Sequence, residues 1–321
     1  MSGGTAVTVV IPTRDRWELV AASALRSALS QDGVVSDVVV VDDGSRDAAP
    51  RDLPELRDAR VRVIRLPEPR GVAIARNVGI GEARGEWVAF LDDDDLWSPA
   101  KLRRQLSTAE EAGAGFAYAG AVWVDESLAL LRGNAPPDPD TLADDLLSWN
   151  VVWGGASNVI ARLDLLESVG GFDEELFQLA DWDLWIRLAL AAKAAVVDQV
   201  LVALVVHPQS MLLVDRRDVF VEFERLAGKH RAAAERAGVQ VDRARFARWV
   251  AAGHLRAGRR SAAARAYLRG PKAPGNVVRA AGSFLGPAVF SSLGALRRRV
   301  PGVLKPGEWV AERPTWLDLY A

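Results

Sequence analysis

Five apolar residues, Trp87-Val88-Ala89-Phe90-Leu91, run straight into four consecutive aspartates, Asp92 to Asp95. A short unbroken apolar run reads as a strand buried on both faces, and in an open α/β sheet ligands gather at the carboxyl ends of such strands. Four neighbouring carboxylates repel one another and need a compensating partner. A divalent cation is the usual one, with phosphate on its other face. The run therefore points to a parallel-type sheet that carries a site for a nucleotide-linked substrate at one edge.

The rest of the first third fits that sheet. Val7 to Ile11 predicts a first strand, stopped by Pro12; Asp37 to Val41 predicts a second, nearly all valine; Arg60 to Leu66 predicts a third. Helical periodicity covers Trp17 to Leu29, Gly71 to Gly81 and Pro99 to Glu111. Strand and helix alternate, the pattern of a Rossmann-like open sheet with helices on both faces. Beyond about residue 112 the order changes. Strands are expected over Gly115 to Trp123 and Ser157 to Arg162, and Val196 to Val206 reads as a strand pair or one bent strand. Helices are expected over Leu163 to Val169 and Asp181 to Lys193, a short helix or turn over Asp144 to Trp149, and a loop across Arg132 to Asp140. From about Arg216 to Ala266 the chain reads as helical, Pro271 to Pro287 as a linker or irregular segment, and Trp309 and Trp316 suggest a tail that docks. These changes divide the chain into 1–112, 113–212 and 213–321.

With 321 residues, half of them apolar, the chain can bury a full core. A formal charge of -2 gives no general attraction to nucleic acid, so no nucleic-acid partner is expected. The absence of cysteine excludes disulfides, thiolate metal sites and a cysteine nucleophile. No signal-peptide pattern or membrane-length apolar run is visible, and the best candidate, Val196 to Val206, contains Asp198. A soluble cytoplasmic protein is the expectation.

Asp42-Asp43-Gly44-Ser45 follows the valine strand and brings carboxylates to the same edge, where one can meet a base or a ribose. Pro12-Thr13-Arg14-Asp15 ends the first strand facing that crevice. Arg76 is a candidate for diphosphate or for an aspartate. Strand alternation puts Asp92 and Asp94 on one side. Asp94 is expected to bind the metal directly, Asp92 to bind the ribose or reach the metal through water, and Asp95 to cap a helix or orient its neighbours. Oxygen ligands with diphosphate suit Mn²⁺ or Mg²⁺.

Val9-Val10-Ile11-Pro12-Thr13, Val41-Asp42-Asp43-Gly44-Ser45, Ala75-Arg76-Asn77, Phe90 to Asp95, Trp97-Ser98-Pro99-Ala100-Lys101-Leu102, Gly170-Gly171-Phe172-Asp173 and Asp181-Trp182-Asp183-Leu184-Trp185 occur in that order. Together they resemble the family 2 glycosyltransferases, from residue 7 to about 210. The resemblance implies a GT-A fold and inverting transfer from a nucleoside-diphosphate sugar, most commonly a uridine one. It makes 1–112 the donor-binding half and 113–212 the acceptor-binding and catalytic half, and leaves 213–321 as a mostly helical extension. Pro12, Thr13, Arg14, Asp42, Asp43, Arg76, Asp92 and Asp93 would contact the donor, with Asp42 on the nucleobase. Asp94, Asp92 and His207 would attend the metal. Asp181 matches the catalytic base, with Asp183 as the fallback. Many relatives carry Glu before that aspartate, where this chain has Ala180. Gly171, Phe172, Trp153 and Trp182 are the acceptor-side candidates, since indole rings cover the apolar faces of sugars; Trp185 reads as core.

The acceptor is left open between a saccharide, a lipid-linked and a small-molecule one. The arginines of the last third fit solvated helix faces, a peripheral membrane surface or a homo-oligomer contact. His230 and His254 are assigned no chemistry. Two other readings remain: a metal-dependent sugar nucleotidyltransferase, which lacks its glycine-rich loop here, and a non-catalytic sugar-nucleotide-binding or assembly protein, which Ala180 would suit. The first strand lacks Gly-x-Gly-x-x-Gly, which argues against a dinucleotide-dependent oxidoreductase.

Overall fold

A computed structural model describes residues 6–207, 218–271, 274–284 and 312–321. Its centre is a nine-stranded mixed sheet. The strands are β1 Val7–Thr13, β2 Ser36–Asp42, β3 Val61–Arg65, β4 Trp87–Phe90, β5 Leu96–Trp97, β6 Phe116–Asp125, β7 Leu130–Asn134, β8 Ile160–Arg162 and β9 Ala194–Val206. Their order across the sheet is β3-β2-β1-β4-β8-β6-β9-β5, with β7 pairing on β6. The first four run parallel; β8 is antiparallel to both β4 and β6, and β9 runs parallel to β6.

Alternation along the strands builds a core on each face. Val7, Val9 and Ile11 point toward the Trp17–Leu29 helical segment and helix α4 (Lys101–Ala112). Val10, Val88 and Phe90 point the other way. Between α1 (Trp17–Val20) and α2 (Arg26–Leu29) lies a π-helical turn, Ala21–Leu25. Helix α3, Val72–Gly81, lies tight on β1: a Cβ on Gly79 would sit 2.2 Å from a methyl of Val10, so only glycine fits there.

The second core is shared with the C-terminal helices. Helices α5 (Leu142–Ser148), α6 (Leu163–Val169) and α7 (Ala180–Ala191) pack in one apolar cluster with residues of α8 (Val219–Lys229), α10 (Arg243–Arg256), α11 (Arg260–Arg269) and α12 (Pro274–Gly282). Phe223 stacks on Phe246 at 3.9 Å and meets Trp182 at 6.0 Å. A short α9, Arg231–Ala237, joins α8 to the rest. Removing a buried aromatic from such a cluster costs about 3–5 kcal/mol.

Three expectations are corrected. Pro12 does not stop β1, which continues to Thr13; the β1–β4 ladder ends at Val10, so Pro12 has a single neighbouring strand and its missing N–H breaks nothing on the other side. Part of the expected Arg132–Asp140 loop is β7, which pairs with the end of β6. The expected linker after Pro271 contains α12, with Pro274 at the first helical position that favours proline. Val196 to Val206 is one strand with a register shift rather than a pair. In the tail, Trp316 donates to the Val200 carbonyl at 3.1 Å, so this part docks on β9; Trp309 lies outside the described residues. Among the described residues no helix is long and apolar enough to cross a membrane.

Candidate active site

The carboxyl ends of β1, β2 and β4 come together at one edge of the sheet. At the end of β2, Asp42 is fully buried. One of its oxygens accepts from the Ser45 amide at 2.8 Å; the other, Oδ2, lies 3.5 Å from Arg65 Nε and accepts no hydrogen bond. A buried carboxylate oxygen left in that state suits a donor supplied from outside the chain. Asp43 is used internally: it accepts from the amides of Arg70 and Gly71 at 2.7 and 2.9 Å, fixing the entry to α3. The turn between them needs Gly44, whose φ is 65° and whose Cβ would lie 2.5 Å from the Glu68 backbone.

The four aspartates after β4 have four different sets of partners. Asp92 pairs with Arg76 from α3. Asp93 is buried, accepts from Thr13 Oγ1 at 2.7 Å and pairs with Arg16 at 2.7 Å. Burial, and then the charge of Asp94, push its carboxyl up to about 7 against the pull of Arg16. Asp94 lies 2.8 Å from His207 Nε2 and 3.1 Å from Arg16. Burial opposes its charge, but the His207 hydrogen bond and Arg16 outweigh burial and hold it below the usual range. The same bond to Asp94 raises His207. Asp95 turns inward, accepting from Ser157 Oγ at 2.5 Å and from the Val205 amide at 3.2 Å. Burial, then its charged neighbours, push it well above the usual range. It orients its neighbours and caps no helix.

Asp94 Oδ2 and His207 Nε2 are hydrogen-bonded to each other at 2.8 Å. A carboxylate and an imidazole are donor types that a divalent cation can take once the shared proton is lost. Asp92 is engaged by Arg76 instead, and among the described residues no three acidic or histidine side chains form a ligand shell.

Across the crevice stands Asp181. It is the second residue of α7, whose N-cap is Leu179. Its Oδ1 accepts from the Trp182 amide at 2.7 Å. Protein surrounds the carboxyl, and the residue as a whole is half-buried. Burial pushes it up to about 6, against the Arg76 guanidinium; Asp92 adds a further push. The two walls are thus close enough to feel each other. The Trp153-Gly154-Gly155 turn comes up beside Asp181: a Cβ on Gly155, whose φ is 53°, would lie 3.7 Å from Asp181 Oδ2.

Asp183, the fallback base, is fully buried and bonded to Arg187, Lys229 and His230 at 2.7, 2.9 and 2.8 Å. Burial opposes its charge, yet the His230 hydrogen bond, Arg187 and Lys229 hold it down to about 2. Such a group has no lone pair free for a substrate proton. His230, given no role from sequence, is structural.

Other expected contacts also move into the core. Trp182 is 1% exposed and donates to the Leu146 carbonyl at 2.7 Å, so it meets no acceptor. Phe172 is buried edge-on against Phe90 at 5.0 Å, beneath Arg76. Gly171 packs on Asn77, which exchanges hydrogen bonds with the Phe172 backbone at 2.7 and 2.9 Å; this turn is a latch on α3 rather than an acceptor loop. Trp185 is buried as expected. Pro12 is buried and Arg14 exposed at the end of β1. Sequence reasoning missed Arg16, Ser157 and Glu222. The Glu222 carboxylate, from α8, accepts from the Phe177, Gln178 and Leu179 amides at 3.0, 2.9 and 3.3 Å, fixing the turn that leads into Asp181.

A family model described as "Glycosyl transferase family 2" matches residues 8–170, half of the chain. The chain belongs to that family. In this glycosyltransferase the matched span holds the four-aspartate wall and stops before Asp181. Among similar proteins, the succinoglycan biosynthesis protein ExoO of Rhizobium meliloti is 52% identical over 94 residues, 29% of this chain and 27% of that protein. The putative teichuronic acid biosynthesis glycosyltransferase TuaG of Bacillus subtilis is 35% identical over 36% of this chain and 46% of its own length. An Escherichia coli relative, 31% identical over 35% of this chain and 44% of its own length, is the UDP-Glc:alpha-D-GlcNAc-diphosphoundecaprenol beta-1,3-glucosyltransferase WfgD. The chain thus spans less than half the length of each of these relatives. S. aureus TarS, solved with UDP-GlcNAc, shares the fold at a TM-score of 0.51 and 21% identity, over 83% of this chain and 72% of that one. The GT-A fold expected from sequence is the fold observed.

Proposed function

We propose that this glycosyltransferase moves a sugar from a uridine diphosphate donor to an acceptor hydroxyl by a single inverting displacement, with Asp181 as base. The observation that carries this reading is the placing of Asp181. It is a carboxyl surrounded by protein on a half-buried residue, raised to about 6 and within electrostatic reach of Arg76 and Asp92 on the opposite wall. A base works best with a pKa near the operating pH.

The acceptor hydroxyl gives its proton to Asp181 as its oxygen bonds to the anomeric carbon. The bond from that carbon to the diphosphate oxygen breaks on the opposite face, and its electron pair leaves with the diphosphate. Arg76 faces both carboxylates and is placed to receive the diphosphate charge once Asp92 turns to the ribose. Asp42 Oδ2 receives the base N–H. Asp94 and His207 would hold Mn²⁺ or Mg²⁺. Such a cation supplies a Lewis acid against the charge that develops on the leaving group. TarS with UDP-GlcNAc and the printed donor of the E. coli relative support a uridine donor.

The test is a screen of UDP-, TDP- and GDP-sugars for hydrolysis and transfer, with Mn²⁺ and with Mg²⁺. UDP-sugar turnover that requires the cation and yields an inverted anomer is expected. Failure of every donor would end this reading.

A further inference from the structure

Asp94 lies two residues before β5, and His207 directly follows β9. The spacing of that pair therefore depends on how β5 and β9 are held together. β5 is only two residues long, Leu96–Trp97. It pairs with Ala203 and Val202 of β9 and ends the sheet among the described residues. So short an edge strand has a weak hold on its neighbour, and its outer side needs cover.

The tail supplies that cover. Thr315–Leu319 forms a 3₁₀ turn. Leu317 is fully buried in one cluster with Leu96 of β5, Ala203 of β9, and Val122 and Val124 of β6. Tyr320 Oη donates to the Trp97 carbonyl at 2.9 Å, Trp316 Nε1 to the Val200 carbonyl at 3.1 Å, and Arg313 Nε to the Leu128 carbonyl at 2.7 Å. Arg26, at the start of α2, donates to the Leu319 carbonyl at 2.8 Å. One segment thus clips β5, β9, the β6–β7 turn and α2. These three side-chain donors of the tail meet main-chain carbonyls, so the segment acts on the strands that carry the donor wall and not on its side chains. From β5 the hold passes inward. Trp97 Nε1 donates to the Ser157 carbonyl at 2.7 Å, and Ser157 Oγ accepts from the Asp92 amide at 3.0 Å and donates to Asp95. Asp95 in turn accepts from the amide of Val205, two residues before His207.

We propose that Arg313–Tyr320 is a strap that sets the spacing of Asp94 and His207, with Trp316, Leu317 and Tyr320 as positioning residues acting through β9 and β5. This role rests on the reading of that pair as the donor's cation site. The strap governs how readily the pair takes a cation and leaves Asp181 alone.

UDP binding to the whole chain is measured by calorimetry across a range of Mn²⁺ concentrations, and again in EDTA. Trp316→Phe and Tyr320→Phe each remove a hydrogen bond and keep a ring. Combined, they should raise the Mn²⁺ concentration for half-maximal UDP binding about tenfold and leave the affinity in EDTA unchanged. Leu317→Ala should act in the same direction, and Leu317→Met should recover the wild-type value. Val250→Ala, in the core around α10, is the control for general destabilisation and should keep the wild-type Mn²⁺ dependence. In transfer, the double variant should lose rate at low Mn²⁺ and recover kcat at saturating Mn²⁺, with the midpoint of its pH profile unmoved. Circular dichroism confirms that each variant is folded. A double variant with wild-type Mn²⁺ dependence, an equal shift in Val250→Ala, or UDP binding by wild type that ignores Mn²⁺ would overturn the strap. Strap-dependent Mn²⁺ and UDP binding without turnover of any donor would uphold the strap and end the glycosyl-transfer reading alone.

Discussion

The two walls of the crevice are built on different principles. The donor wall is self-sufficient: Asp92, Asp93 and Asp94 take their partners from Thr13, Arg16, Arg76 and His207, all at the carboxyl ends of sheet strands or on α3. The base wall is held from outside. Glu222 fixes the turn before α7, and Lys229 and His230 hold Asp183 within it. All three come from α8 and the residue that follows it; these, like Asp181, Asp183 and the donor-side His207, lie beyond the region matched by the family model. The Asp92–Asp94 wall is thus tied together by groups at the sheet edge and on α3, while α8 fixes the turn before Asp181 and holds Asp183.

The largest effect expected is at the donor wall. Asp94→Ala should lower transfer about 100-fold or more, the scale seen when a group that stabilises transition-state charge is removed. Initial rates with Mn²⁺ and a UDP-sugar check it, and near-wild-type rates would remove Asp94 from the site.

At the base wall the first effect is on stability. Asp183→Asn leaves cations facing a neutral amide in the interior and should destabilise by about 3–5 kcal/mol. The sign with pH follows from a depressed carboxyl. Its stabilisation is complete above about pH 4, the unfolded value, and is lost as pH falls through about 2. Urea melts of both proteins should therefore converge in acid.

Glu222→Ala separates the walls more finely. Unpairing the three amides should cost about 1–3 kcal/mol, and kcat should fall while the affinity for UDP holds. Glu222→Gln, which keeps an acceptor oxygen, should recover much of kcat. Parallel losses of UDP affinity and kcat would show that the two walls are not independent.

The smallest effect is on pH dependence. Asp181 must be ionised to accept a proton, and burial raises it to about 6. Transfer should fall about tenfold per pH unit below that value and level off above it. A profile flat down to pH 5 would contradict it.

What sequence revealed of these walls follows the same division. The strand edge was legible because its determinants are local: a valine or apolar run followed at once by Asp42 or by Asp92 to Asp95. Even there the individual partners were hidden, since Arg16 meets Asp93 and Asp94 only after β1 and β4 pair. The base wall was hardly legible. Trp182, Phe172 and Gly171 looked like surface groups beside a motif, yet Phe223 of α8 and Trp149 pack on Trp182 and Asn77 clasps the Gly171-Phe172 turn. Glu222 gave no local signal, because its partners are backbone amides some 45 residues earlier. Such contacts belong to tertiary packing, which no periodicity encodes.

The claim at the centre is that Asp181 takes the acceptor proton. The direct measurement is transfer by Asp181→Asn at saturating donor, with UDP-sugar affinity determined calorimetrically on the same sample. Unchanged affinity with transfer reduced by about 100-fold or more is the predicted result. Transfer within a few-fold of wild type at equal affinity would contradict it and move the base elsewhere.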